Sequence, residues 1–347
     1  MKRFFYILVL ILSVCLEASA YDVEVNGVYY NVDATKRVAS VTKGTYSGSI
    51  VIADSITFRG VALEVTSIEA EAFAGCKKLE AVTIPNSVRT ISNGAFMNCT
   101  NLKNVKLPDS LALIPYNCFS GCASLSSVEI PKAVEEIESN AFENCKSFGA
   151  EYVVPATVKY LGYSVWEGCN GIKTLRFEDS DQVLAPSGYY GNGANPFEWF
   201  YPTYVYVGRT VYGFYPHSSV KKVEFGANLT SWGRSNFVSD STKIIISNIE
   251  DPSQISAPTF SDYVYKYATL YVPKGKVDIY KNADGWKPFF DIRENDGTVS
   301  GVRSVNFSTS KTVIGIYNVL GQKVHTDERG FVIIKYSDGS SKKIYRH

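Results

Sequence analysis

From Val65 onward the apolar positions of the chain recur every 23 residues. Stretches opening at Val65, Val88 and Leu111 align without gaps. A fourth, opening at Val134, carries one extra residue, and a fifth, opening at Val158, is looser. Ile68, Ile91, Ile114, Ile137 and Leu161 share one place in this pattern. Phe73, Phe96, Phe119, Phe142 and Trp166 share a second. Cys76, Cys99, Cys122, Cys145 and Cys169 share a third, and Leu79, Leu102, Leu125, Phe148 and Ile172 a fourth. Self-similarity at a fixed period of this length is the signature of a stacked repeat architecture.

Each unit predicts its own elements. In Leu79-x-x-Val82-x-Ile84 the alternation of Val82 and Ile84 suits a short strand with one face inward. Pro85, Pro108, Pro131 and Pro155 then end the strand, because proline removes a ladder donor. The segment holding Ile68 and Phe73 is spaced for a turn of helix on the opposite wall. No unit of this size buries its apolar face alone, so neighbours must stack into one continuous core. The fold class expected is an α+β repeat solenoid, with a strand-rich curved sheet, short helical or 3-10 segments and a small β tail.

The repeated Ala-Phe-x-x-Cys-x-x-Leu-x-x-Val-x-Ile-Pro, at Ala72 to Pro85 and again at Ala95 to Pro108 with Leu107 for Ile, resembles the BspA-like leucine-rich repeat family. The same offsets reappear in Val220, Val223, Phe225, Leu229, Trp232 and Phe237. Ala268 to Pro273, followed by Tyr280, Trp286 and Phe289, looks like the closing unit of that family. Val23 to Tyr30 and Ile50 to Ile52 look like its opening hairpin and first strand. The resemblance implies an exported surface protein that contacts matrix proteins, other bacteria or surface glycans.

The two ends of the chain read differently. Lys2 and Arg3 precede an apolar run from Phe4 to Val14 and then Ala18-Ser19-Ala20, the layout of a secretory signal peptide cut after Ala20. Leu12 to Cys15 also has the look of a lipoprotein box, which would make Cys15 a lipid-bearing terminus. Past Gly297 to Gly301, apparent strands at 316–324, 330–335 and 342–344 look like the sorting domain of type IX secretion, or else a plain β cap. The expected organisation is therefore a signal peptide over 1–20, a β cap over 21–64, regular repeats over 65–180, divergent repeats and closing cap over 181–295, and a tail over 296–347.

Charge and composition narrow the function. The chain carries 35 Lys and Arg against 34 Asp and Glu, or 33 against 33 without the first twenty residues. Such balance argues against a broad grip on nucleic acid or anionic lipid. Three scattered histidines, His217, His325 and His347, make a histidine-rich metal centre improbable. The cysteine column offers no tetrahedral cage, and equivalent side chains of a parallel stack point the same way. They read as small buried hydrophobes, with Cys118 at a neighbouring small-residue position. Glu178, Asp179 and Asp181 offer oxygens to a calcium ion or form a solvated turn. Gly188, Gly191 and Gly193 read as a loop. With no catalytic motif among the residues, neither an enzyme nor a cofactor is expected.

Two surfaces carry binding hypotheses. Thr83, Lys106, Glu129, Val153 and Arg176 stand between the two inward residues of successive strands and should align as one outward row. Such a row is a partner-binding face or simply a solvated one. The second surface lies in Tyr189 to Tyr215, where eleven of 27 residues are aromatic. There Tyr189, Tyr190 and Trp199 are the candidates for exposure, and aromatic faces stack on sugar rings. The first surface implies a protein partner and adhesion, the second a glycan-binding accessory of carbohydrate uptake.

Overall fold

The computed structural model describes residues 21–187, 195–215, 218–233 and 235–299 in full, together with the backbone of three strands beyond residue 312. The chain divides into two units, Met1–Gly297 and Thr298–His347. The leader and its Cys15 lie outside the described residues.

The first unit is strand-rich, and its repeats stack through parallel strands. Ser47–Val51, Lys78–Thr83 and Asn104–Lys106 form one parallel sheet. Glu151–Val154, Thr174–Phe177, Tyr204–Val207, Lys222–Phe225, Ile244–Ser247, Thr269–Val272 and Asp291–Glu294 form another, parallel throughout. Short strands at Leu113–Ile114, Glu136–Ile137, Tyr160–Leu161 and Ala185–Pro186 make a third. An antiparallel hairpin of Val23–Val25 and Val28–Asp33 opens the unit, turning at Asn26 and Gly27, both with positive φ.

One apolar core runs through all of this. Its axis is a stack of aromatic rings. Phe73, Phe96, Phe119 and Phe142 stack with nearly parallel planes, their centroids 4.9, 5.3 and 5.7 Å apart. Their backbones are tied by the same contact each time. The amide of Phe73 donates to the carbonyl of Ala95, that of Phe96 to Cys118, and that of Phe119 to Ala141. The parallel ladder explains why the sequence repeats: each position meets its own equivalent one unit on, so the same residue type solves the same packing problem each time.

The wall opposite the strands is built of turns, where the sequence predicts helix. Among the described residues, helices occur only at Pro252–Gln254, Asp262–Tyr267 and Val277–Asn282, all beyond the regular repeats. Two residues of each repeat adopt positive φ, two places before and two places after the ring. They are Glu71 and Gly75, Gly94 and Asn98, Asn117 and Gly121, Asn140 and Asn144, then Ser164 and Gly168. A right-handed helix cannot continue through a left-handed residue, so the apolar spacing is met by a turn.

The strand ladder also breaks where the pattern predicts a strand. Residues 125–130 form none, and the two larger parallel sheets are separate. The extra residue of the fourth repeat falls between Phe148 and Tyr152, and it offsets Glu151–Val154 from the repeat before. It also brings the Tyr152 ring between Phe142 and Trp166, 6.1 and 5.0 Å from them. The inward residues flanking the break, Val105, Val128 and Tyr152, are 8–9% exposed, against 0–2% for Val82 and Leu175.

The second unit contains an antiparallel sheet of Val313–Asn318, Gly330–Tyr336 and Ser341–Arg346. The first of these strands ends at Asn318, short of the sequence expectation.

Candidate binding surface

The outward row falls into two parts of different character. In the first, Val51 is in register with Thr83, and Thr83 with Lys106. All three are exposed, Val51 by 69%. Glu129 is exposed too, in a segment without strand pairing beyond the last of these strands. Lys103 and Glu80 form an exposed ion pair at 3.0 Å beside them. An exposed pair of this kind adds little stability, so the charges here are replaceable without harm to the core.

In the second part the outward residues bind one another. Val153 is in register with Arg176, and Arg176 with Tyr206. The Arg176 guanidinium lies 3.8 Å from the centre of the Tyr206 ring and 3.6 Å from the Asp179 carboxylate. The Tyr206 hydroxyl donates to that carboxylate at 2.9 Å. One strand further, the Tyr204 hydroxyl donates to Glu224 at 2.6 Å, and Asn248 Nδ2 donates to the same carboxylate at 3.0 Å. Burial, reinforced by Glu224 and Asp179, pushes both tyrosine hydroxyls well above their ordinary range, so they stay protonated donors. Glu224 and Tyr206 are buried, and Val153 and Arg176 half-buried. The repeat pattern finds Arg176 but not this network. Its signal in the sequence is the alternation Tyr204-Val-Tyr206-Val, in which every second residue faces outward.

Of the aromatic candidates, Trp199 is exposed by 54%. Tyr189 and Tyr190 lie outside the described residues, as do the loop glycines Gly188, Gly191 and Gly193 and the histidines. The neighbouring Phe197, Phe200, Val205 and Phe214 are core residues. Glu178 accepts from the Ala156 amide at 2.9 Å, so it and Asp179 are held by this chain's own donors. Among the described residues no group of three or more His, Cys, Asp or Glu is placed to hold a metal ion. No helix among them is long and apolar enough to cross a membrane. All six described cysteines are free and buried.

Part of the chain matches a known repeat family. Residues 64–193 match a family described as BspA type Leucine rich repeat region (6 copies). Among solved structures, a leucine-rich repeat protein from Bacteroides ovatus is 19% identical, with a TM-score of 0.46 over 79% of this chain and 67% of that one. The T. pallidum Leucine Rich Repeat protein is 24% identical, with a TM-score of 0.41 over 60% and 88%. A leucine rich cell surface protein from Faecalibacterium prausnitzii is 17% identical, with a TM-score of 0.39 over 81% and 95%. No curated protein matches the sequence.

Proposed function

We propose that this protein is an exported, surface-associated, non-catalytic recognition or adhesion protein, which holds a protein partner on the open strand face around Thr83, Lys106 and Glu129. The observation that carries this reading is the in-register, exposed series Val51, Thr83 and Lys106. It offers an apolar, a hydroxyl and a cationic group, extended by the anionic Glu129, on a scaffold whose ring stack and ladder are already formed. A pre-formed face loses little ordering entropy on binding. The repeat family matched by residues 64–193 supports a binding role. Val153 and Arg176 serve this reading as the far border of the face, because Arg176 is held against Tyr206 and Asp179.

Export rests on the leader over 1–20 with cleavage after Ala20, and the tail over 296–347 serves as a sorting signal or a structural cap. The test is solid-phase binding of the mature chain to a panel of matrix proteins and bacterial surfaces. Saturable binding to one of them is expected to fall at least about tenfold in the K106E/E129K double variant, with the melting temperature unchanged. Binding indifferent to both reversals would remove the strand face from the mechanism.

A further inference from the structure

Trp199 occupies a position that the five preceding repeats give to glycine or asparagine. It stands two residues after Phe197, whose ring stacks on Trp166 with centroids 5.9 Å apart and planes 15° apart. Two places after each earlier ring stand Gly75, Asn98, Gly121, Asn144 and Gly168, all with φ between 57° and 75°. Trp199 keeps this left-handed backbone, with φ at 55°. For a bulky residue that conformation is strained by the contact of Cβ with the following carbonyl. Packing does not offset the strain, since the residue is 54% exposed, whereas Trp166 and Trp286 are fully buried. Strain retained at an exposed aromatic points to a contact made with something outside the chain.

The surroundings indicate the kind of contact. Phe197 and Phe200, on either side, are 2% and 3% exposed. Neither adds exposed apolar surface beside Trp199 of the kind that encloses a protein hot spot. The groups near the turn are polar. The Tyr163 hydroxyl interacts with Glu198 and lies within the field of Glu167, and Tyr201 is 40% exposed. An exposed ring one residue from the Glu198 carboxylate, which the Tyr163 hydroxyl meets, suits a sugar. The C–H face of a pyranose lies against the indole, and its hydroxyls donate to the carboxylates. We infer that Trp199 is the stacking platform of a carbohydrate site, separate from the strand face and independent of the protein-binding reading given to it.

Native electrophoresis of the mature chain through gels containing yeast mannan, laminarin, xylan or gastric mucin tests this. At least one polysaccharide should retard the wild-type protein. Trp199→Gly should abolish that retardation while melting about 1–3 °C higher, because glycine relieves the strain. The K106E/E129K variant should be retarded like wild type, which separates this site from the strand face. Passage of the wild type unretarded through all four gels, or equal retardation of Trp199→Gly, would overturn the assignment. A fall in the melting temperature of Trp199→Gly would show that the ring packs, and would overturn it too. Retardation by mucin alone that survives enzymatic deglycosylation would identify a protein ligand and reject the sugar.

Discussion

The Cys99 thiol donates to the backbone carbonyl of Phe73, one repeat back, at a distance of 3.0 Å. Cys122 repeats the contact with Phe96, Cys145 with Phe119 and Cys169 with Phe142, at 3.0–3.3 Å. A small apolar residue with one weak donor fits this place, because the Phe carbonyl has a second lone pair to satisfy.

Burial pushes the Cys99 thiol up to about 12, and those of Cys118, Cys122 and Cys145 well above the ordinary value near 9. Because all six cysteines past the leader are buried, the folded mature protein should react with no thiol reagent at pH 8, while the mature chain in urea, unreduced, titrates six thiols. The linked pH effect has a definite sign. A raised folded pKa contributes stability in full below the unfolded value and loses it as pH rises toward the folded one. The unfolding free energy from urea titration should be flat from pH 6 to 8 and fall above about 9, by roughly 1.4 kcal/mol per pH unit for each thiol so shifted. A midpoint unchanged between pH 8 and pH 10.5 would mean the thiols are not protonated in the core as described.

The break in the strand ladder has a dynamic consequence. Among the described residues, no backbone hydrogen bond joins the amides of residues 127–130 to a neighbouring repeat, whereas those of Phe119 and Phe142 are bonded at 2.8 and 3.0 Å. Regions with few backbone bonds open at the lowest free energy. Native-state hydrogen exchange should find residues 127–130 exchanging at least about tenfold faster than residues 118–122 at the same pH. Deleting Gly149 should restore the 23-residue spacing and slow that exchange. Uniform protection along residues 100–150 would show that the ladder is continuous.

Gly168 offers a sharper steric test. A Cβ added there would meet Asn144 Oδ1 at 2.4 Å, and its φ is +72°. Gly168→Ala should therefore cost about 1–3 kcal/mol, the strain of the left-handed region plus displacement of the Asn144 amide. Gly168→Asn should not recover that loss, because its Cβ meets the same clash. Gly75→Asn, with open space around its Cβ, should cost less. A urea titration of the three variants reads the order directly.

These positions show how far the sequence could be read. Ile68, Phe73, Cys76 and Leu79 recur because each packs on its own equivalent one repeat away, so a single chain displays the parallel stack without any alignment. The helix expected around Phe73 was not legible as a turn, because Asn and Glu at positive φ look like ordinary polar residues. Read against the ring column, the recurrent Gly or Asn two places after each ring carries that information, and it singles out Trp199. The extra residue of the fourth repeat is visible at Gly149, but its effect on pairing 20 residues upstream is a matter of three-dimensional register. The Arg176–Tyr206–Asp179 contact was beyond reach because the 23-residue period fails between Arg176 and Tyr206, whose register shows only in the folded sheet.

Arg209 belongs to the same class, being buried and unmarked by the pattern. Its Nη1 donates to the carbonyls of Ala156 and Val158 at 3.0 and 2.7 Å, and its Nη2 to that of Pro155 at 2.9 Å. These carbonyls follow the strand Glu151–Val154, where proline and the turn leave them without ladder donors. The guanidinium thus joins the turn after one strand to the bend that follows Tyr204–Val207, two strands further along the sheet. Burial lowers its pKa to about 10, which still leaves it charged at neutral pH. Arg209→Met keeps most of the apolar stem and removes every donor, so the Ala156 and Val158 carbonyls lose their partner and that of Pro155 keeps only the Val158 amide. The expected cost is about 3–5 kcal/mol, within the range for breaking a buried charged contact. Arg209→Lys should lose nearly as much, because an ammonium cannot span the carbonyls of Pro155 and Val158 as the planar fork does. Urea denaturation at pH 7 distinguishes this from a role in packing alone. Packing alone predicts that the methionine variant is the more stable of the two, by at least about 1 kcal/mol, because it buries no charge.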